Sequence, residues 1–228
     1  MLRARKRITK KEIKHDAMLE AIYKVETYVR HNSRLILYGG SALLVIIVVS
    51  VMMFRSKQEA EISATSAVGI AQYKLLSGDF QDVVVRIEDA IRKYPGTKAV
   101  NEGRFYLASA NYQLGNRKEA EKHFSDYIDS DSNDRILEAS AYAGIGAIRE
   151  DMKDFRTAAE NYRKAALTSE TPYLSNKYLL SAARNYYYAG NDEDALDVVN
   201  NLMNMENAAE NTIIEVEYWK SVISSRKG

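Results

Sequence analysis

Hydrophobic and polar positions follow three different rules along the 228-residue chain. Residues 35–54 read LILYGGSALLVIIVVSVMMF, an uncharged run that begins at Leu35 and ends at Phe54. Arg34 closes it on one side, and Arg55 and Lys57 close it on the other. A helix of this length spans about 30 Å, the thickness of a hydrocarbon core. Upstream, Ile13, Ala17, Met18, Ala21, Ile22, Val25 and Val29 recur at helical spacing. Thr9-Lys10-Lys11-Glu12 ahead of them has the form of a capping box. The pattern predicts an amphipathic helix in the tail, then a membrane-spanning helix. A buried core helix of this length normally shows a polar face. A cleaved leader has a shorter basic region and a shorter apolar run.

Downstream the pattern becomes a repeat. Gly78-Asp79-Phe80, Gly115-Asn116-Arg117, Lys153-Asp154-Phe155 and Gly190-Asn191-Asp192 lie 37, 38 and 37 residues apart. Seven positions before each anchor stand Ala71, Ala108, Gly146 and Ala183, and eight before stand Ile70, Leu107, Ile145 and Ala182. Five after stand Val83, Ala120, Ala158 and Ala195. Nine after come Ile87, Phe124, Tyr162 and Val199, and twelve after come Ala90, Tyr127, Ala165 and Leu202. Each unit therefore reads as helix, tight turn, helix. The turn ends the first helix at a left-handed residue, and the following Asp or Asn starts the second. Small residues let the two helices approach, and larger ones fill the space between hairpins. One hairpin cannot bury its apolar face alone, so the units stack. Ile213, Val216, Trp219, Val222 and Ile223 predict a last helix capping the stack. No Pro or Gly falls between Phe54 and Val68, so the apolar helix is expected to continue into the first hairpin. The expected fold class is all-α: one N-terminal transmembrane helix, then an α-solenoid of about four hairpins and a C-terminal cap. The domains are residues 1–34, 35–54 and 55–228.

This pattern resembles the tetratricopeptide repeat over residues 64–209, with its apolar-then-small pair, Gly-Asp/Asn turn and late Ala. Pro95 falls where that family closes a repeat. The 37–38-residue spacing departs from the family's 34, Val83 replaces an Ala, and Ser132, Glu170 and Asn207 stand where a closing proline is usual. The resemblance implies a groove lined by the first helices. Carried over by position, the lining includes Gln72, Leu75, Phe105, Ser109, Tyr112, Ala147, Glu150, Lys177, Leu180, Arg184 and Tyr187. Aromatic and Arg side chains of this kind suit a bound peptide or protein strand. Of the run Tyr186, Tyr187 and Tyr188, Tyr187 is the one expected in the groove.

Charge sets the orientation. Residues 1–34 hold ten Lys/Arg against four Asp/Glu, among them Arg3, Arg5, Lys6, Arg7, Lys10, Lys11, Lys14, Lys24, Arg30 and Arg34. Residues 56–228 hold twenty-one against twenty-seven. Basic flanks stay cytoplasmic, so the N-terminus is expected inside and the repeats outside, in the periplasm of a bacterium. The tail helix reads either as lying on the anionic inner leaflet or as docking a cytoplasmic or ribosomal partner. Its basic run is too short, and lacks a reading element, for nucleic acid. Gly39, Gly40 and Ser41 are small enough for close helix packing in the membrane.

Candidate chemistry is sparse. There is no cysteine, and His15, His31 and His123 have no metal-ligand spacing. No phosphate loop, dinucleotide fingerprint or nucleophile elbow occurs. No catalytic residue, metal or cofactor is expected. The basic tail, the span, the repeats and the segment Val-Glu-x-Tyr-Val-x-x-Asn (residues 25–32) together resemble the bacterial ancillary SecYEG translocon subunit family. That resemblance implies an inner-membrane protein binding exported polypeptides or periplasmic chaperones near the Sec translocon. Two other readings stay open: a scaffold for envelope assembly or division, and a cytoplasm-facing adaptor of reversed topology.

Overall fold

The computed structural model describes residues 10–130, 134–203 and 210–227. Thr9 of the capping box, Arg3, Arg5, Lys6, Arg7, Ser132 and Asn207 lie outside the described residues. The described chain is all-helical: α1 (Lys10–His31), α2 (Ser33–Leu76), α3 (Phe80–Lys93), α4 (Lys98–Gln113), α5 (Arg117–Ile128), α6 (Arg135–Asp151), α7 (Phe155–Thr168), α8 (Pro172–Tyr188), α9 (Asp192–Met203) and α10 (Glu210–Lys227). It divides into two compact units, Met1–Lys57 and Gln58–Gly228.

The first unit holds α1 and the apolar part of α2. Helix α2 is long and apolar enough to cross a membrane, and none of its most apolar window is buried inside the protein. That separates it from a soluble core helix of equal composition, which would be covered. On α1, Met18, Ile22, Val25 and Val29 are likewise exposed.

The second unit is a stack of four hairpins, α2–α3, α4–α5, α6–α7 and α8–α9, each helix packing on the next, with α10 against α8 and α9. The turns explain why the chain folds back four times. Gly78, Gly115 and Gly190 sit at φ 80° to 82°, and Lys153, the only non-glycine with positive φ among the described residues, sits at 63°. At each, the left-handed residue donates to the carbonyl three back and the next amide donates to the carbonyl five back, at 2.9–3.2 Å. Those two bonds satisfy carbonyls that the helix end would leave open. Lys153 pays a steric penalty for its Cβ that the glycines escape.

Asp79, Asn116, Asp154 and Asn191 then open the second helices through their carbonyls, which accept from the amides four residues on. Their side chains diverge from the expected caps. Asp154 accepts from the Thr157 amide, whereas Asp79 and Asn116 make no side-chain cap. Other partners have taken those groups: Lys74 donates to Asp79 at 2.9 Å, and Asn116 donates to Asn111 at 3.1 Å.

Every small position flanking the turns is buried: Ala71, Ala108, Gly146 and Ala183 before them, Val83, Ala120, Ala158 and Ala195 after. The columns nine and twelve residues after the anchors are buried throughout as well. Tyr162 lies flat over Gly146, its ring 3.2 Å from where a Cβ would stand. The column eight before the anchor breaks once. Leu107, Ile145 and Ala182 are buried, but Ile70 is 43% exposed. In later hairpins the preceding second helix packs against the first helix, through α3–α4, α5–α6 and α7–α8. The hairpin that opens the stack has no such predecessor. The cap differs in a similar way. Val216 and Ile223 are buried and Trp219 half-buried, but Ile213 faces outward and is exposed.

Two consequences can be measured. A Cβ at Gly144 would stand 2.5 Å from the ring of Phe124, which is buried. Gly144→Ala is therefore expected to destabilise the domain by about 1–3 kcal/mol, the usual cost of overpacking, read by chemical denaturation. His123 is half-buried on α5, and its Nδ1 lies 3.6 Å from Asp126 without a hydrogen bond. Burial lowers its pKa, with Lys122 and Arg104 acting in the same direction and Asp126 and Glu88 opposing. The unfolded chain thus binds a proton at a pH where the fold still refuses it, so stability falls as pH drops below about 6.5. His123→Gln is expected to flatten the fall in Tm between about pH 6.5 and 5. An unchanged slope would remove His123 from the account.

Candidate functional site

Four first helices supply the positions that the repeat pattern aims at a groove, and the structure treats those positions unequally. Gln72 and Lys177 are exposed. Gln72 lines a cleft of about 370 Å³ between α2 and α4, with Thr65, Lys98, Glu102 and Tyr106 among its neighbours. Glu61 on α2 closes one wall by accepting from the Lys98 and Ala99 amides at 3.0 and 2.9 Å. A carboxylate there meets both the open amides of α4 and the positive end of its dipole. Burial raises the pKa of Glu102, and the charges of Asp134 and Glu61 raise it further.

Leu75, Phe105 and Tyr112 are half-buried and packed on the cores of their hairpins. Phe105 meets Phe124 and Tyr127 edge to face at 5.6 and 5.9 Å, so its ring belongs to the core more than to a groove. Ser109 donates its hydroxyl to the Phe105 carbonyl at 2.9 Å. Ala147 is half-exposed, whereas Leu180 is buried in the last core cluster and offers nothing to a ligand. Leu180 sits in the same column as Phe105 and is covered even more completely.

Tyr187 departs furthest from expectation. Its ring is half-buried against Trp219 at 5.8 Å, and the Arg226 guanidinium lies 3.9 Å above it. Arg226 also donates to the Tyr187 carbonyl at 2.7 Å and pairs with Asp192. The tyrosine is thus the seat of α10. The aromatic group around it, with Tyr188 and Trp219 at 6.1 Å, fastens the cap.

Glu150, Arg184 and two residues outside the expected set come together as one polar node. Arg184 donates to Glu150 Oε1 at 2.9 Å, Asn185 to Oε2 at 3.0 Å, and the Tyr162 hydroxyl to Oε2 at 3.1 Å. One carboxylate from the third hairpin thereby gathers three donors, two of them from the fourth. Burial pushes the Tyr162 phenol far up, and the Glu150 charge adds to it, so the phenol stays a donor at every physiological pH. Beside the node, Arg117 pairs with Asp151 at 3.2 Å, and the Tyr112 phenol is raised by burial and by Asp151. Charge-assisted bonds of this kind fix geometry between repeats. Glu150 is taken up by the three donors of the node and Arg184 by Glu150, leaving Gln72, Lys177, the Ser109–Tyr112 edge and the outer side of Arg184 as the groove's accessible chemistry.

Asn185 carried a readable signal. It stands five residues before its anchor, where Ala110 and Ile148 stand in the two preceding hairpins, and all three are fully buried. A polar side chain in an apolar column needs a partner. Tyr162 gave no such signal, because an aromatic suits its core position whether or not its hydroxyl is used.

No protein-family model matches the chain, and no curated protein matches it.

If the node works as a unit, its members are coupled. Glu150→Ala orphans a buried phenol and loosens Arg184 and Asn185, at an expected cost of about 1–3 kcal/mol. Combined with Tyr162→Phe, the loss is expected to fall short of additive by at least about 0.5 kcal/mol. Strict additivity in a double-mutant cycle would show that the two residues act separately.

Proposed function

We propose that the chain is a single-pass membrane protein whose hairpin domain binds other polypeptides and catalyses no reaction. The observation that carries this reading is the apolar window of α2, none of which is buried inside the protein. Twelve of residues 35–54 are Leu, Ile, Val or Phe. At about −0.3 to −0.6 kcal/mol each, they favour insertion by roughly 4–7 kcal/mol. The basic tail orients residues 1–34 to the cytoplasm and the hairpins to the periplasm of a bacterial inner membrane. The stacked hairpins are an architecture that other proteins use to present extended binding surfaces. The resemblance to the ancillary SecYEG translocon subunits supports a narrower version: the domain contacts exported chains or periplasmic chaperones beside the translocon, with the groove formed around Gln72, Ser109, Tyr112 and Lys177.

The test is photo-crosslinking in intact membranes from a reactive residue placed at Gln72 or Lys177, with Val85, exposed on α3, as the control position. The expected adducts are translocon subunits, secreted clients or a periplasmic chaperone. Recovery of none of these, or equal labelling from Val85, rejects the narrower version. Cleavage of the hairpin domain by protease added to spheroplasts supports the orientation. Protection until the membrane is lysed reverses it.

A further inference from the structure

The first hairpin carries an apolar face with nothing on it. Ile62, Tyr73 and Leu76 on α2 are 64%, 70% and 82% exposed, on the side of the helix opposite the buried Ala64, Val68 and Ala71. Tyr73 stands in the column of Ala110, Ile148 and Asn185, all fully buried by the hairpin before them. The edge of the stack thus keeps Tyr73 at a position that becomes core wherever another helix arrives, whereas the column of Leu76 (Gln113, Asp151 and Tyr188) stays exposed in the later hairpins. At the far end α10 performs the covering, with Val216 and Ile223 buried.

We propose that this face pairs with the same face of a second copy of the chain, α2 against α2 in parallel. Three features select a second copy over a different helix. Ile62, Ser66, Gly69, Tyr73 and Leu76 follow one another at spacings of four, three, four and three, the period at which two helices keep a common seam. Small residues at the centre admit close approach, and a Cβ added at Gly69 would meet nothing within 4 Å. The flanking positions, Thr65 and Gln72 on one side and Ser63 and Ile70 on the other, are uncharged, so identical helices bring no like charges together over residues 62–76; Glu59 and Arg55, next on the same spacing, end the seam. A self-complementary face also closes on itself, and α10 already occupies the other end, so assembly stops at two. The parallel direction rests on the membrane reading, since two copies inserted alike leave the bilayer the same way. A seam of two heptads is short, and confinement to one membrane supplies the high effective concentration it needs.

The native chain has no cysteine, so single thiols report the seam directly. Full-length Ser66→Cys, Tyr73→Cys and Val85→Cys variants are oxidised in membranes with copper-phenanthroline. Covalent dimer is expected from positions 66 and 73, one heptad apart, at many times the yield from position 85. Both can self-pair only in a parallel dimer. In mild detergent the unmodified chain is expected at the mass of two copies, and Tyr73→Glu with Leu76→Glu at the mass of one. An unchanged melting temperature in that variant shows that the exposed substitutions leave the fold intact. Monomeric mass for the unmodified chain, equal yield at position 85, or adducts only with another polypeptide overturns the proposal.

Discussion

Each hairpin depends on two backbones coming close together within seven residues of a reversal. Two conditions make this possible together. A left-handed residue at the turn lets the first helix end with its last carbonyls satisfied. A column of Ala, Gly or one Val on either side removes the bulk that would otherwise hold the helices apart. Helices are 8–10 Å apart according to the side chains between them, so Gly146 under the Tyr162 ring sets a distance as directly as it fills a position. Everything larger, including which residues are left over for a surface, follows from that spacing.

This is why so much of the fold was legible in the sequence. The turn and the small columns are local demands, and they repeat at 37 and 38 residues. Repetition also identified the third turn, where Lys153 takes a conformation that favours glycine: the flanking columns are intact, and the packing of the two helices holds the turn closed. What did not repeat was harder to read. Ile70 lies in a buried column yet is exposed, because repeat position fixes where a side chain points and leaves open whether a neighbour arrives. Ile213 misses the cap interface in the same way.

The groove was less legible than the fold, for a physical reason. A repeat pattern assigns faces, but the same face can be consumed by contacts from far along the chain. Arg226 reaches the Tyr187 carbonyl across 39 residues, and Arg184 reaches Glu150 across 34. Both contacts take up residues, Tyr187 in one and Glu150 with Arg184 in the other, that looked suited to a ligand. Residues that can bind a peptide can bind a neighbouring helix by the same chemistry, and position within a repeat does not distinguish the two uses. Among the described residues no hydrogen bond or ion pair within the stack takes up the exposed Gln72 or Lys177, and for that reason they are the better probes of the surface.

A stack of hairpins also has an edge problem that a closed bundle does not. Each first helix is built to be covered by the helix before it, so the opening hairpin must change its outer residues to polar ones or acquire a cover. The closing end of this chain takes the second course, spending Trp219, Val216, Ile223 and the Arg226–Asp192 pair on α10. The opening end has taken neither within one copy: Tyr73 and Ile70 remain in contact with water at positions that are core in the later hairpins, with Ile62 and Leu76 exposed beside them. Exposed apolar side chains scattered singly need no explanation, but an ordered stripe along one helix does. A stripe with two-helix periodicity, uncharged flanks and a glycine at its centre is most economically covered by its own image.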